Sequence, residues 1–472
     1  MNAPVRLREL TATALAIHAG AGHIVSDVSF SVRPGEPLTL LGESGSGKSL
    51  VAQAVMGTLP PELKASGTIH LDGADLLAEP LQERRKLWGR SIALLPQEPW
   101  LALDPTMRIA PQLAEVHRFV GGKTVRDSDA RALDNLGEVG LDHAGSLYPF
   151  QMSGGMCQRA AIAITHAAGS GLLIADEPTK GLDAELRQGV VTRLKQEVEA
   201  GKLLLTITHD VAVARALGGT IGIMLDGRMV DYGPVDEVLA APSHPYSQAL
   251  LAADPETWDR RAPAASGDVV LAGRGLAKAF GDRVLFGDLD LEVRKGEIVA
   301  VVGPSGCGKT TVGNILLELV KPDAGNVERR SGISPLRFQK LYQDPPAAFA
   351  LHQPISKGLR DLVKLHRREW SDVERLLARL RLRGSLLDRL PSQISGGELQ
   401  RFALLRALLL EPVFLFADEA TSRLDPVGQK EVIEFLLEIV QETGLAVFLV
   451  THDQALAERI STRMLHLAGG EI

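Results

Sequence analysis

One eight-residue pattern occurs twice in this chain, and it limits the possible folds more than any other feature of the sequence. The pattern is GxxxxGK[ST], found at 42–49 and again at 303–310. Apolar runs at 38–41 and 298–302 precede the two copies directly. Such a Gly-rich turn between a buried strand and a helix lets main-chain N–H groups converge on phosphate oxygens. We therefore predict two sites for a nucleoside triphosphate.

The two loops supply the predicted nucleotide ligands. The lysine of each pattern can reach the terminal phosphates, and the hydroxyl residue after it can hold Mg²⁺. The candidate nucleotide-binding residues of the first loop are Gly42, Glu43, Ser44, Gly45, Ser46, Gly47, Lys48, Ser49 and Leu50. Those of the second loop are Gly303, Pro304, Ser305, Gly306, Cys307, Gly308, Lys309, Thr310 and Thr311. Ser49 and Thr310 are accordingly the predicted Mg²⁺ ligands within the loops.

The loops belong to a duplication that covers most of the chain. Other segments recur in the same order, and these pairs are 96–99 and 342–345, 151–155 and 393–397, 176–177 and 418–419, 182–183 and 424–425, and 208–210 and 451–453. Because the order is kept throughout, the two halves are predicted to be copies of one fold.

Apolar runs without alternation indicate the fold class. Residues 38–41, 172–175 and 203–207 read as strands buried on both faces, and helical stretches such as 188–198 lie between them. This pattern predicts an α/β fold, a mostly parallel sheet with crossover helices, in each half. A joint rich in Pro, Ala, Ser and Gly at 252–268 predicts a linker. The predicted domains are 5–251 and 269–472.

Composition excludes several classes of protein. The net charge of −7 argues against a protein that binds mainly nucleic-acid backbone. Two cysteines, with no CxxC spacing, argue against a disulfide framework and exclude an iron–sulfur cluster. No apolar run approaches the roughly 20 residues of a membrane span, and residues 1–15 do not resemble a signal peptide. These features predict a cytoplasmic protein.

An acidic pair closes an apolar strand in each half. Asp176 and Asp418 stand where a carboxylate can hold Mg²⁺, in the manner of a Walker B aspartate. Glu177 and Glu419 follow them directly and are the natural general bases. We therefore predict two metal-ligating aspartates and two catalytic glutamates.

Ser-Gly-Gly segments a short distance before these strands complete a family resemblance. Over residues 5–472 the chain resembles the tandem nucleotide-binding domains of ABC transporters, because these segments are similar to the family signature. The signature residues are Ser153, Gly154, Gly155 and Gln158, and Ser395, Gly396, Gly397 and Gln400. The resemblance implies two ABC-type P-loop domains, each with a helical subdomain, that hydrolyse ATP with Mg²⁺. It also implies head-to-tail pairing, in which ATP on one phosphate loop is capped by the signature of the other domain.

The same resemblance assigns further catalytic roles. Gln97 and Gln343 resemble the family's Q-loop glutamine, which contacts Mg²⁺ and the attacking water and links the core to the helical subdomain. His209 and His452 resemble its switch histidine near the γ-phosphate. Phe280 stands where the family stacks an aromatic ring on adenine.

Some positions depart from the family pattern. Ala19 takes the place of the stacking aromatic in the first half, with only His18 beside it. The segment 179–183 lacks the usual run of small residues, and Cys157 replaces a commoner basic residue. None of these changes removes a predicted phosphate or metal ligand.

A decapeptide at 242–251 points to the kind of transporter. It is similar to a tail found in the ATPases of peptide, opine and nickel uptake systems. This resemblance implies an importer ATPase, bound at the cytoplasmic face of the inner membrane to two integral-membrane permease subunits and, through them, to an extracytoplasmic solute-binding protein. No nucleic-acid partner is expected, and the solute is not determined by this chain.

Two alternatives remain open. Soluble tandem-cassette ATPases act on ribosomes or nucleic acids, but their cassettes are typically separated by a long charged helical linker, whereas the joint here is short and nearly neutral. A fused sugar-import ATPase is a nearer alternative, although such proteins lack the tail at 242–251.

Overall fold

The structure is a computed structural model that divides into two compact units, Met1–Leu251 and Ala252–Ile472. It describes residues 6–20, 22–43, 45–97, 102–167, 169–180, 182, 184–263, 267–281, 283–304, 306–421 and 424–467. Each unit carries one of the two phosphate loops.

The first unit contains two sheets. Its strands are β1 (Leu10–Ala19), β2 (Gly22–Val32), β3 (Leu38–Gly42), β4 (Leu63–Leu71), β5 (Ala74–Asp75), β6 (Ile92–Leu95), β7 (Leu172–Asp176), β8 (Leu203–Thr208), β9 (Thr220–Leu225) and β10 (Arg228–Pro234). An antiparallel sheet has the order β2-β1-β4-β5. The larger sheet has the order β10-β9-β3-β8-β7-β6 and is parallel except for the pairing of β9 with β10.

Most helices of the first unit lie between these strands in the chain, and the last two follow β10. They are α1 (Lys48–Met56), α2 (Leu81–Arg85), α3 (Ile109–Glu115), α4 (Val125–Glu138), α5 (Gly154–Ala167), α6 (Ala184–Glu199), α7 (Val211–Leu217), α8 (Val235–Ala240) and α9 (Pro245–Ala252). A π-helical turn, Val116–Val120, continues α3. Helices α3, α4 and α5 share a hydrophobic cluster of their own that includes Leu113, Leu136 and Ala160. They form a helical subdomain beside the sheet.

The second unit repeats this plan. Its strands are β11 (Val269–Phe280), β12 (Arg283–Arg294), β13 (Ile298–Val302), β14 (Ala324–Arg329), β15 (Phe338–Leu341), β16 (Phe414–Asp418), β17 (Ala446–Val450) and β18 (Arg463–His466). Its helices are α10 (Lys309–Leu316), α11 (Ile355–Leu365), α12 (Trp370–Arg379), α13 (Gly396–Leu408), α14 (Pro426–Thr443) and α15 (Gln454–Ile460). The antiparallel sheet has the order β12-β11-β14, and the parallel sheet has the order β15-β16-β17-β13-β18.

The apolar runs of the sequence form the centres of the parallel sheets. Every residue of β3, β8, β13 and β17 is buried, because helices cover both faces of a parallel sheet. The predicted α/β fold class, with a mostly parallel core and a helical subdomain in each half, is confirmed. The carboxyl ends of β3 and β13 position the phosphate loops, and those of β7 and β16 position the acidic pairs, at one edge of each parallel sheet.

Residues of the predicted linker pack within the second unit. Trp258 belongs to its main hydrophobic cluster, and the indole N–H donates to Ala252 O at 3.0 Å. The main-chain N–H of Arg261 donates to Arg459 O at 2.8 Å. Across the part of the chain that the structure describes, no helix combines the length and apolar character needed to span a membrane.

Candidate nucleotide-binding sites

The first phosphate loop is held in a conformation that requires glycine. Gly42 has φ of 150°, and a Cβ atom there would lie 2.2 Å from Met224 O. Gly47 has φ of 94° and caps helix α1. The ammonium group of Lys48 donates to Gly42 O at 2.8 Å and to Glu43 O at 2.7 Å, so the loop folds around the lysine. A Gly-rich loop that leads into a helix N-terminus in this way can present main-chain N–H groups and positive charge to phosphate oxygens.

The second loop has the same geometry. Gly303 has φ of 154°, and a Cβ atom there would lie 2.4 Å from Leu467 O. Lys309 Nζ donates to Gly303 O at 2.7 Å and to Pro304 O at 2.9 Å. Cys307, a residue of this loop, is buried. The predicted ligands Ser44 and Ser305 lie outside the described residues.

Oxygen ligands suitable for Mg²⁺ meet at the start of α1 and α10. In the second unit Thr310 Oγ1 donates to Asp418 Oδ1 at 2.8 Å. In the first unit a hydrogen bond joins the side chains of Ser49 and Asp176. Asp176 Oδ1 is buried, and no donor among the described residues reaches it. Hydroxyl and carboxylate oxygens, one of them without a partner, fit a hard divalent cation.

Burial controls the charge of the first aspartate. Burial raises the pKa of the Asp176 carboxyl above its usual value, and the neighbouring Glu177 adds to this effect. The hydrogen bond from Ser49 and the charges of Lys48 and Lys180 act in the opposite direction. A cation bound at Asp176 would therefore relieve an unfavourable burial of negative charge.

Glu177 is fixed in an unusual main-chain conformation. Its φ is 51°, in the left-handed region, and its N–H donates to Ile207 O at 2.8 Å. The carboxylate is buried, with Oε1 2.8 Å from His209 Nδ1 and Oε2 accepting from Thr208 Oγ1 at 3.4 Å. Burial alone would raise the pKa of Glu177, but the hydrogen bond and charge of His209, with Lys48 and Lys180, lower it below the usual value.

Glu419 repeats this conformation in the second unit. Its φ is 47°, and its N–H donates to Val450 O at 3.0 Å. Oε1 lies 2.6 Å from His452 Nε2, and Oε2 accepts from Gln343 Nε2 at 2.5 Å. The acid, the switch histidine and the Q-loop glutamine predicted from sequence therefore meet in this unit. In the first unit Gln97 is exposed.

The signature segments begin helices α5 and α13. Ser395 caps α13 by accepting from Glu398 N at 3.3 Å, and Ser153 accepts from Met156 N at the same distance. Ser153, Gly154, Ser395 and Gly396 are exposed, so the first N–H groups of both helices are open to a ligand.

The signature glutamines lie deeper in the structure. Gln158 is buried and donates to Pro178 O at 2.6 Å, next to Glu177. Gln400 is buried and donates to Tyr342 O at 3.4 Å, next to Gln343. Each amide therefore connects a signature helix to a loop that carries a catalytic candidate.

The candidate adenine platforms differ between the units. Phe280 ends β11 with 57% of its surface exposed, and Lys278 Nζ lies 5.2 Å from the ring centroid. Ala19 takes the corresponding place at the end of β1 and is exposed. His18 instead contacts the ring of His23, with centroids 4.3 Å apart, and Ser66 Oγ at 3.1 Å.

Other sequence features have clear positions. The tail at 242–251 forms helix α9 after a turn in which Asp231 accepts the main-chain N–H of Ser243 at 3.2 Å and of His244 at 3.1 Å. In the segment 179–183, Gly181 and Asp183 lie outside the described residues.

Lys340 is not among the residues predicted from sequence, yet its Nζ lies 3.2 Å from Asp418 Oδ2. The sequence does contain a signal that could have identified Lys340, because a charged residue stands there in a strand of the sheet where the first half has Leu94.

Comparison with known proteins agrees with this geometry. A family model described as ABC transporter matches residues 25–180 and 286–422, more than half of the chain. The peptidoglycan transport ATP-binding protein YejF of Agrobacterium fabrum strain C58 is 32% identical over 496 residues, covering 97% of this chain and 90% of that protein. The glutathione import ATP-binding protein GsiA of Salmonella typhi is 33% identical over 517 residues, covering 95% of this chain and 82% of that protein.

Solved structures share the fold. An archaeal ribosome recycling factor, aABCE1, in complex with the ribosomal stalk protein aP1, matches with a TM-score of 0.68 and 20% identity, covering 94% of this chain and 84% of that chain. At this identity the likeness concerns the fold alone. The family model and the relatives at 32% and 33% identity go further. This chain belongs to the ABC transporter family, as an ATP-binding protein and ATPase of the peptide-type importers with two fused cassettes.

Proposed function

We propose that this chain is the ATP-hydrolysing subunit of an importer that takes up a peptide or a related small solute through separate permease subunits. The observation that carries the proposal is the intact set of candidate groups in both units: lysine, hydroxyl residue, aspartate, glutamate and histidine. The two relatives, which are ATP-binding proteins of peptidoglycan transport and of glutathione import, support a peptide-like solute.

The side chains of each unit would divide the work of hydrolysis. The ammonium groups of Lys48 and Lys309 are held within their phosphate loops. Their positive charge would offset the negative charge of the terminal phosphates. Glu177 and Glu419 would accept the proton of the attacking water. His209 and His452 would orient these carboxylates. Mg²⁺, when bound by the hydroxyl residue and aspartate of each site, would supply further positive charge to the phosphates.

The two cassettes would act as a head-to-tail pair, as the family resemblance implies. Exposed N–H groups at the start of α5 and α13 would cap the γ-phosphate held by the other cassette, so ATP would join the cassettes and its hydrolysis would release them. Site one would combine Lys48, Ser49, Gln97, Asp176, Glu177 and His209 with Ser395, Gly396 and Gly397. Site two would combine Lys309, Thr310, Gln343, Asp418, Glu419 and His452 with Ser153, Gly154 and Gly155.

The partners would be two integral-membrane permeases, reached from the cytoplasmic face, and an extracytoplasmic solute-binding protein that delivers the solute. Gln343 contacts Glu419 directly, so movement of a permease segment against this loop would reach the catalytic carboxylate. The turn and helix at 242–251 would belong to the same importer complex, because this segment is similar to a tail of importer ATPases.

Co-expression with a candidate permease pair of the same organism tests the proposal. We expect affinity purification in detergent to yield one copy of this chain for each permease pair, because one fused chain supplies both cassettes. Two copies for each pair would contradict the intramolecular pairing. Sedimentation of the chain with ribosomes, and no association with the permeases, would contradict the importer function altogether.

A further inference from the structure

A lysine of the second unit lies against the aspartate that is predicted to hold Mg²⁺. Lys340 Nζ is 3.2 Å from Asp418 Oδ2 and donates to Asn314 Oδ1 at 2.9 Å. The ammonium group also lies over the rings of Phe416 and Tyr342, 4.9 and 5.2 Å from their centroids. Two oxygens and two aromatic faces therefore fix its position.

This contact is buried and well defined. The side chains of Lys340 and Asp418 are 11% and 5% exposed. Asp418 Oδ1 accepts from Thr310 at 2.8 Å, so both carboxylate oxygens already have a partner within the unit. Salt and solvent screen a buried pair less than an exposed one, so the ammonium charge attracts this carboxylate more strongly than it would at the protein surface.

The first unit lacks the positive charge at the same place. Leu94 pairs with Ile174 in the register in which Lys340 pairs with Phe416, so Leu94 and Lys340 occupy equivalent positions. No donor in the described part of the chain reaches Asp176 Oδ1. At the second site Lys340 is thus in direct contact with the metal-ligating aspartate, whereas the positive charges that act on Asp176 come from Lys48 and Lys180.

We propose that Lys340 is a positioning residue that partly neutralises Asp418 and makes the second cassette hold Mg²⁺ more weakly than the first. The inference rests on the proposed ATP sites and concerns their inequality. A carboxylate paired with an ammonium group attracts a divalent cation less, and the two cations repel each other across it. The lysine would also keep Asp418 oriented toward Thr310 when no metal is bound.

A purely structural ion pair is the competing explanation. A buried pair of this kind can specify packing without touching the chemistry, and loss of one partner then lowers stability alone. The two explanations differ in one measurable quantity, the affinity of each cassette for the metal. Replacement of Lys340 by Met removes the charge and keeps an unbranched apolar side chain in the space.

Mn²⁺ binding to single-site proteins tests the proposal without use of ATPase activity. In the full-length chain, Lys48→Ala disables the first site and Lys309→Ala disables the second. Binding of mant-ADP identifies the remaining site, and electron paramagnetic resonance of free Mn²⁺ then gives the Mn²⁺ dissociation constant in saturating ADP.

Reciprocal substitutions should change this constant in opposite directions. Lys340→Met in the Lys48→Ala protein should tighten Mn²⁺ about three- to tenfold, since the competing charge is removed. Leu94→Lys in the Lys309→Ala protein should weaken Mn²⁺ by a similar factor. Lys340→Arg keeps the charge and is expected to change the constant less than about twofold.

Other results would overturn the inference in identifiable ways. An unchanged or weaker Mn²⁺ affinity in a folded Lys340→Met protein would leave Lys340 with a structural role. If that variant fails to fold, an unchanged affinity in the Leu94→Lys protein would contradict the proposal in the first cassette. Failure of both single-site proteins to bind mant-ADP would instead contradict the proposed ATP sites.

Discussion

Glu177 and Glu419 each take a positive φ directly after a buried strand, at 51° and 47°. A side chain in this region of conformational space costs free energy, and such strain is typical of functional positions. Each carboxylate is directed to a histidine that sequence alone had placed in the same site. The strain therefore coincides with the residues predicted to activate water.

Loss of either carboxylate should stop most of the turnover. We expect Glu177→Gln or Glu419→Gln to slow steady-state ATP hydrolysis more than about tenfold, because in the proposed head-to-tail pair the two sites would share one closing interface. A coupled assay of phosphate release measures this effect. Glu62→Gln, at an exposed position outside both sites, is the matched control. Wild-type turnover in either catalytic variant would refute the shared interface.

The adenine platforms should also differ in strength. Phe280 is the exposed ring at the end of β11, whereas Ala19 offers no ring at the end of β1. Phe280→Ala should weaken mant-ATP binding at the second site by about five- to hundredfold, the usual range for loss of base stacking. The first site should distinguish ATP from GTP less well.

His18→Ala is the counterpart in the first cassette and should change affinity little, because His18 is engaged with His23 and Ser66. Titration of each single-site protein provides the comparison. Unchanged affinity in Phe280→Ala together with weakened binding in His18→Ala would show that the platform is assigned to the wrong residue.

At the scale of elements, local sequence patterns predicted the positions of individual strands and helices. The runs 38–41, 172–175 and 203–207 correspond to β3, β7 and β8, and 188–198 lies within α6. Strand pairing and side-chain contacts between distant segments could not be read in this way. The bond from Gln158 to Pro178 and the contact of Lys340 with Asp418 depend on sheet order and depth, which no local period encodes.

Helix α10 packs closely on strand β16, with a glycine on the helix facing a large side chain on the strand. A Cβ atom on Gly313 would lie 2.2 Å from the buried ring of Phe416, whereas the first unit has Ala52 and Ile174 at the equivalent positions. Gly313→Ala should destabilise the second unit by about 1–3 kcal/mol, as overpacking of a core does. Thermal unfolding of the full chain measures the change.

Helix α11 provides the control for this substitution. A Cβ atom on Gly358 meets nothing within 4 Å, so Gly358→Ala should be neutral or stabilising. Adding Phe416→Ile to Gly313→Ala should recover part of the lost stability. If Gly313→Ala and Gly358→Ala have the same effect, the close packing of α10 on β16 is wrong.

Helices α5 and α6 are joined by an ionic cluster that should respond to pH. Burial would raise the pKa of Glu197, but the hydrogen bond and charge of His166, with Lys202, lower it to about 2. Between this value and the ordinary value of 4.5, the unfolded chain binds more protons than the folded one. The stabilisation is therefore fully present above the ordinary value and is lost as pH falls toward the folded value.

Glu197→Gln should lower the free energy of unfolding at pH 7 by about 3 kcal/mol, the equivalent of this pKa change. The difference from wild type should fall to about half near pH 3, measured by urea unfolding at several pH values. Glu199→Gln, at an exposed position on the same helix, should show no such trend. A pH-independent difference would contradict the ionic explanation.

At the scale of the whole molecule, duplication gives two complete sets of candidate catalytic groups in one chain. Sequence alone predicted both sets and the fold class, because each site is built from short motifs next to strands. The inequality of the two units was harder to predict. It depends on substitutions such as Leu94 against Lys340 and Ala19 against Phe280, whose effect appears only when their surroundings are known.

ATP-driven uptake is the central claim at this scale, and reconstitution tests it most directly. The chain, its permease pair and the solute-binding protein would be assembled in proteoliposomes with labelled glutathione and, in parallel, a labelled muropeptide. We predict accumulation of one of these solutes that requires MgATP and is lost with Glu177→Gln or Glu419→Gln. ATP hydrolysis that neither permeases nor loaded binding protein stimulate, with no accumulation of either solute, would contradict the account.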